Sequence, residues 1–327
     1  MTEAANPLSW AFDVEFTENV RTMSGGRIDI ELYESPALVP SSEQLDALAN
    51  DVIQQSIAFT NLWSGKNSAM SLFAQFMFGQ TYRQMQTWYF NEGEKYLDML
   101  YGPYNAKAFA FVWLSPEISA FTKSQVNTLD EWRAVESFRA GPGLQNEVLT
   151  AVGINAVWVA GTEVYSALER GTIEGAKWGS PAETWGMKFH EVAPYLLFPA
   201  WAGSCGATQT YEFNLENWNA LSDQDELIIR SAIDHRLNYG AAAYYEAQAD
   251  YVKLYKDYGC VFSKLPAEDL AVIMDAALGR LSEMADENPL FKEILLSQMN
   301  YVNKLYEYEL LTTYPALPEG FPPTELK

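Results

Sequence analysis

The chain has 327 residues, 48% of them hydrophobic, enough for two domains of ordinary size with filled cores. Against 21 Lys and Arg stand 43 Asp and Glu, a formal charge of −22 that favours solubility and disfavours contact with nucleic acid or anionic lipid. Cys205 and Cys260 lie far apart without CxxC spacing, so they build neither a zinc site nor a disulfide framework; one bridge or two thiols both remain open.

From the start of the chain, residues 1 to 20 carry Glu3, Asp13, Glu15 and Glu18 where a secretory leader needs a basic start and an apolar run. A leader is therefore read as removed, or the start as not native. Trp10, Val14, Val20 and Met23 take helical spacing, Ser24-Gly25-Gly26-Arg27 stops that helix, and Ile28, Ile30 and Leu32 alternate as a strand. Ser41 and Gln44 form a capping-box pattern ahead of Leu45, Leu48 and Val52, and Ile57 to Phe59 read as a short buried strand. The longest apolar stretches, such as Ala69 to Gly79, fall short of the roughly 20 residues that cross a bilayer.

The alternation of strand and helix returns after residue 107. Ala108 to Trp113 reads as a strand, Thr128 and Glu131 as a second capping box, and Phe138-Arg139 as the end of a short strand before a Gly-Pro-Gly turn and a helix from Gln145 to Val152. Thr162 is the expected N-cap of a helix from Val164 to Arg170, which Gly171 ends. Ser222 and Asp225 open a pattern that stays helical to Tyr258 with one interruption, Gly240. Its length, about 37 residues or ~55 Å at the usual helical rise, exceeds the width of one lobe, so it is expected to bridge two. Phe291, Leu295, Met299, Tyr301 and Tyr306 continue the helical spacing, and the Pro-rich end after Tyr314 reads as an extended tail.

Five collinear segments carry a family resemblance: Ser24 to Arg27; Trp63-Ser64-Gly65-Lys66-Asn67; Phe138-Arg139 with its Gly-rich turn; Ala167 to Ala176 (ALERGTIEGA); and Val192 to Tyr195 followed by Pro199-Ala200-Trp201. Together they resemble the solute-binding subunits of TRAP transporters, the DctP family, and most of all the branch that binds α-keto acids. The resemblance implies an α/β, two-lobed fold like that of periplasmic binding proteins, with a long interlobe helix and a ligand in the cleft. It divides the chain into lobe I (1–112 and 200–245), lobe II (113–199), the spanning helix (222–258), and C-terminal helices and tail (259–327). It implies a non-catalytic periplasmic receptor that hands a small carboxylate to the TRAP membrane subunits, with no nucleic-acid partner. Relatives also carry a first strand before the first helix, which is lacking ahead of Leu8.

The resemblance makes Arg139 the leading ligand residue. A carboxylate taken out of water needs its hydration replaced, and a guanidinium fork offers two parallel charge-assisted hydrogen bonds. Trp63, Trp178 and Trp201 fall at motif positions expected to line the cleft, core packing being the alternative for each. One departure bears on cofactors. Ala176-Lys177-Trp178 stands where the branch has a metal-binding glutamate, and Ala202-Gly203 where it has a second acid. The hard-oxygen ligand set is thereby depleted, so neither a bridging metal nor any other cofactor is expected. The Lys177 ammonium is expected to take the cation's charge and volume, facing ligand oxygens or Glu117; a lysine pointing to solvent is the alternative.

No catalytic motif competes. His190 and His235 sit in no HExxH, GxSxG or Cys/His pattern and are given structural or polar-surface roles, and neither a GxGxxG nor a Walker sequence occurs. Paired carboxylates of a glycoside hydrolase remain the alternative from the enzyme class, since 43 acids allow many pairs. The C-terminal helical pattern resembles the tail through which keto-acid-binding relatives dimerise, with burial against its own lobe as the equal alternative.

Overall fold

In the computed structural model, which describes residues 7–74, 81–112, 117–141, 143–198 and 208–312, the first element is α1 (Pro7–Met23). Its buried side chains Ser9, Phe12, Asp13, Phe16 and Val20 recur at the three-and-four spacing of a helix stripe. Of the four residues expected on its inner face, Val20 alone is fully buried; Val14 and Met23 are exposed. The stripe instead follows Phe12 and Phe16, and Phe16 stacks on Tyr211 at 4.3 Å. Gly25 and Gly26 end the helix at φ +64 and +80, with Gly26 N–H donating to the Arg21 carbonyl at 2.8 Å. Ile28, Ile30 and Leu32 are half-buried and alternate with exposed Asp29 and Glu31, yet form no ladder: no strand lies beside them among the described residues.

The first lobe continues through α2 (Gln44–Ala49), β1 (Gln55–Phe59), α3 (Ser71–Ala74), α4 (Tyr82–Trp88), α5 (Glu94–Tyr101) and β2 (Ala106–Val112). Ser41 does not cap α2; its hydroxyl meets that of Ser35 at 2.9 Å, and a tight turn over Ser41–Glu43 leads into the helix. Val52, expected on the inner face, is exposed.

The second lobe runs through β3 (Ala120–Thr122), α6 (Leu129–Arg133), β4 (Phe138–Arg139), α7 (Leu144–Ala151), β5 (Ala156–Val157), α8 (Val164–Arg170), β6 (Gly175–Ala176), α9 (Pro181–Trp185), α10 (Phe189–Val192) and β7 (Tyr195–Leu197). Parallel neighbours need crossover connections, and α7 and α8 supply them: β4 lies parallel to both β5 and β6. Strand β3 runs antiparallel between β6 and β7. Thr128 caps α6, accepting from Glu131 N–H at 3.2 Å, while the Glu131 carboxylate reaches one residue further out, to Asn127 N–H at 2.6 Å. Gly171 ends α8 at φ +74 as expected, but Thr162 is not its cap: a tight turn over Gly161–Glu163 precedes the helix without a side-chain cap.

The chain then returns as β8 (Thr208–Asn214), which lies between β1 and β2 and pairs antiparallel with each, completing the first sheet. After α11 (Leu215–Asn219) comes the long helix. It is capped by Ser222 and runs through α12 (Asp223–His235), a π turn (Arg236–Gly240) and α13 (Ala241–Tyr258) to Gly259, whose φ is +99. Gly240 sits where the buried Arg236 side chain lies against the helix; a Cβ there would come 2.6 Å from Nη1. The α12 half packs on α1 and the α13 half on α9, so this helix touches both lobes.

Strand β9 (Val261–Ser263) joins β7 in parallel and completes a six-stranded second sheet of order β5-β4-β6-β3-β7-β9. It lies in the stretch expected to hold only helices and tail. Helix α14 (Ala267–Glu287) then packs on α7, and α15 (Pro289–Thr312) on α14 and α4. The architecture is α/β and two-lobed. Cys260 is a buried free thiol whose pKa burial pushes up to about 11; Cys205 and the Pro-rich tail lie outside the described residues.

Candidate functional site

Arg139 ends β4, between two parallel neighbours. Its main chain is held by the sheet, its carbonyl accepting from Lys177 N–H at 2.9 Å. The side chain is 5% exposed. Its Nε donates to the Val159 carbonyl at 3.2 Å and its Nη1 to the Lys177 carbonyl at 2.6 Å. Two indoles flank the guanidinium, with Cζ 4.8 Å from the Trp158 ring centre and 4.5 Å from that of Trp178. Cation–π attraction and the carbonyl anchors fix the plane of the fork.

Trp178 is itself positioned by a close backbone approach. A Cβ at Gly161 would fall 2.2 Å from Trp178 Cη2, so the residue under the indole must be glycine. Its other neighbour is Phe189, edge-on at 6.3 Å.

Beside this lies a buried charged cluster. The pairing of β3 with β6 continues outward as Ile118 N–H donates to the Gly179 carbonyl at 3.0 Å, which brings Glu117 to Lys177. The two side chains are 5% and 3% exposed and ion-paired. The ammonium also donates to the Trp178 carbonyl at 3.2 Å. Behind them, Glu183 closes a capping box on α9, accepting from Ser180 N–H at 2.7 Å, and the Ser180 and Tyr244 hydroxyls meet at 2.6 Å. Burial raises the Glu183 carboxyl above its ordinary range and the Glu117 charge raises it further, against the hydrogen bonds from Ser180 and Tyr244.

Of the residues expected from sequence, Arg139, Lys177, Trp178 and Glu117 are thus gathered at the ends of the interior strands β4, β6 and β3 of the second sheet. Lys177 does not point to solvent. Trp63 sits elsewhere, in the first lobe's core: it is 1% exposed and its indole N–H donates to Glu212 at 3.0 Å. Glu212, on β8, is fully buried and accepts also from Ser56, Tyr101 and Thr210. The loop after Trp63 does approach the turn beyond Arg139, since a Cβ on Gly143 would lie 3.9 Å from Ser64 Oγ. Trp201, with Ala202 and Gly203, lies outside the described residues.

Three participants escaped the sequence reading: Trp158, Gly161 and Glu183. Trp158 directly follows β5, and the pairing of Val157 with Arg139, which the sequence reading did not contain, is what brings it to the guanidinium. The histidines take structural places, His190 stacked on Trp185 at 4.2 Å and His235 bonded to Glu15 at 3.1 Å. Burial lowers the His190 pKa. As for paired catalytic acids, Glu117 is bound to Lys177 and Glu183 is used in a helix cap.

A family model described as "Bacterial extracellular solute-binding protein, family 7" matches residues 2–288. The monocarboxylate 2-oxoacid-binding periplasmic protein of Nostoc sp. is 24% identical over 216 residues, covering 66% of this chain and 58% of that protein, so the chain matches less than two thirds of this relative's length. A TRAP transporter solute-binding protein from Bordetella bronchiseptica superposes with a TM-score of 0.87 at 22% identity, over 95% of this chain and 93% of the other; its structure is a dimer with copurified calcium and picolinate in the active site. A TRAP periplasmic solute-binding protein from Pseudoalteromonas atlantica, with bound sodium and pyruvate, gives a TM-score of 0.85 at 21% identity over 95% and 94% of the two chains. These structural likenesses establish the fold.

Proposed function

The chain belongs to the family-7 bacterial extracellular solute-binding proteins, and we propose that it is the periplasmic receptor of a TRAP transporter, binding a small 2-oxo or 2-hydroxy acid between its lobes. The receptor delivers this acid to the membrane subunits and does no chemistry on it. The observation that carries the reading is the Arg139 guanidinium, buried between Trp158 and Trp178 and anchored by two carbonyls. A fork prepositioned in this way spends little ordering entropy when it meets a carboxylate. The relatives with a 2-oxoacid in their name or pyruvate in their structure support the ligand class. Closure of the lobes follows from the ligand's added contacts in the closed population.

Among the described residues no helix is long and apolar enough to cross a membrane. Self-association through α15 is part of the same reading: Met299, Tyr306, Tyr308, Leu310 and Leu311 are exposed there, and the Bordetella relative is a dimer. Light scattering tests it.

Two of the relatives hold a metal ion along with their carboxylate, calcium in one and sodium in the other. The described residues around Lys177 do not fit such an ion. Where Glu117 and the Trp178 carbonyl offer oxygens of the kind a hard cation takes, the Lys177 ammonium already stands.

The test of the receptor reading is a thermal-shift panel of small mono- and dicarboxylates on the whole chain. A ligand that binds only the folded state adds about 2.7 kcal/mol at a hundredfold excess over Kd. Melting should rise with 2-oxo or 2-hydroxy acids and not in Arg139→Ala. No shift with any acid, or an undiminished shift in Arg139→Ala, overturns the reading.

A further inference from the structure

We propose that Lys177 is the site's built-in cation, an ammonium that donates directly to the bound organic acid and makes its binding independent of any metal ion. The inference rests on the receptor reading and adds what that reading lacks, the second positive group at the ligand.

Its basis is the placement of one nitrogen. Lys177 is 3% exposed, a burial that lysine rarely reaches unless paired. Glu117, on the incoming side of β3, supplies the pairing, and the Trp178 carbonyl takes a second N–H at 3.2 Å. An ammonium has three donors. Two go to protein oxygens, and the third is available to a ligand oxygen.

The geometry ties this nitrogen to Arg139. The Lys177 main chain brackets the arginine, its N–H donating to the Arg139 carbonyl at 2.9 Å and its carbonyl accepting from Arg139 Nη1 at 2.6 Å. Trp178, the next residue, stacks on the guanidinium and accepts from the ammonium. A ligand carboxylate at Arg139 therefore has a second, rigidly tethered donor near it, placed to meet the 2-oxo or 2-hydroxy oxygen. Glu117 offsets the cost of burying the ammonium.

Calorimetric titration with pyruvate, and with any other acid that gives a melting shift, tests the proposal on the whole chain. Wild-type protein is dialysed against a chelator, then titrated with and without added calcium or sodium. The variants are Lys177→Met and the double variant Lys177→Met/Glu117→Gln, in which no buried carboxylate is left unpaired and the fold is kept.

Wild-type affinity should not change with chelator or with either ion. The double variant should melt near wild type yet bind about tenfold to a hundredfold more weakly, the worth of a charge-assisted hydrogen bond, without rescue by calcium. Loss of wild-type binding in chelator with recovery in calcium overturns the proposal. So does wild-type affinity in the folded double variant, while Arg139→Ala still fails to bind; that pattern leaves the receptor reading standing. Failure of every acid to bind wild type removes both.

Discussion

Arg139 Nη1 donates to the main-chain carbonyl of Lys177 at 2.6 Å, so the two buried cations of the second sheet are coupled through one peptide unit. Neither can shift without disturbing the other, and both lean on Trp178. The consequences can be measured.

Arg139→Lys keeps the charge and loses the planar fork, the stacking between Trp158 and Trp178, and the two carbonyl bonds. A point charge on a flexible stem cannot replace these. Affinity for the ligand found in the panel should fall about a hundredfold, the worth of one to two charge-assisted bonds. A tenfold or smaller loss by titration, with the fold intact, would mean that charge alone matters and not the fork.

Gly161→Val should act through Trp178. The new Cβ would lie 2.2 Å from the indole edge, so the ring has to leave its place over the guanidinium. A lost cation–π contact and a displaced wall should weaken ligand binding about tenfold and shift the tryptophan emission. Gly161→Ala should fall between. Wild-type affinity and emission in Gly161→Val would show that the indole has another seat.

Glu183→Gln predicts a change in how stability depends on pH. The folded-state carboxyl is raised above its ordinary value of 4.5, so the native state holds this proton more firmly than the unfolded one. Its contribution is full below that ordinary value and is lost as pH rises through the raised one. The glutamine variant can still close the capping box and does not titrate. Its melting temperature should therefore gain on wild type as pH is raised from about 4.5 through the raised folded-state value. Parallel melting curves of the two proteins over that range would contradict the assignment.

Trp63→Phe should register in stability. Glu212 would lose one of four donors in a fully buried position, and the smaller ring would leave a cavity. Urea unfolding should show a loss of about 2–3 kcal/mol. An unchanged unfolding midpoint together with weakened ligand binding would return Trp63 to the cleft.

Much of this was legible in the chain itself. The strand at Phe138-Arg139, the glycine stops at Gly25-Gly26 and Gly171, and the helix from Ser222 to Tyr258 all rest on short-range chemistry: caps, positive φ and periodicity. Such signals act within a few residues and survive whatever the rest of the molecule does. The reading failed where a neighbour was needed. Residues 28–32 alternate like a strand but have no partner strand among the described residues, and β9 is a strand of three residues that exists because β7 lies beside it.

The sequence by itself determined the α/β character, the acidic charge, the family, and the arginine and lysine on which the proposed site rests. Only the tertiary structure decided which side chains meet those two. Lys177 and Glu117 are 60 positions apart and touch because β3 and β6 pair in one register, and Trp158 reaches Arg139 because β5 lies parallel to β4. Trp63, by contrast, was drawn into the first sheet's core by a carboxylate 149 positions away. Strand order and register are set by the burial of whole faces, a long-range free energy that no local stretch of residues carries.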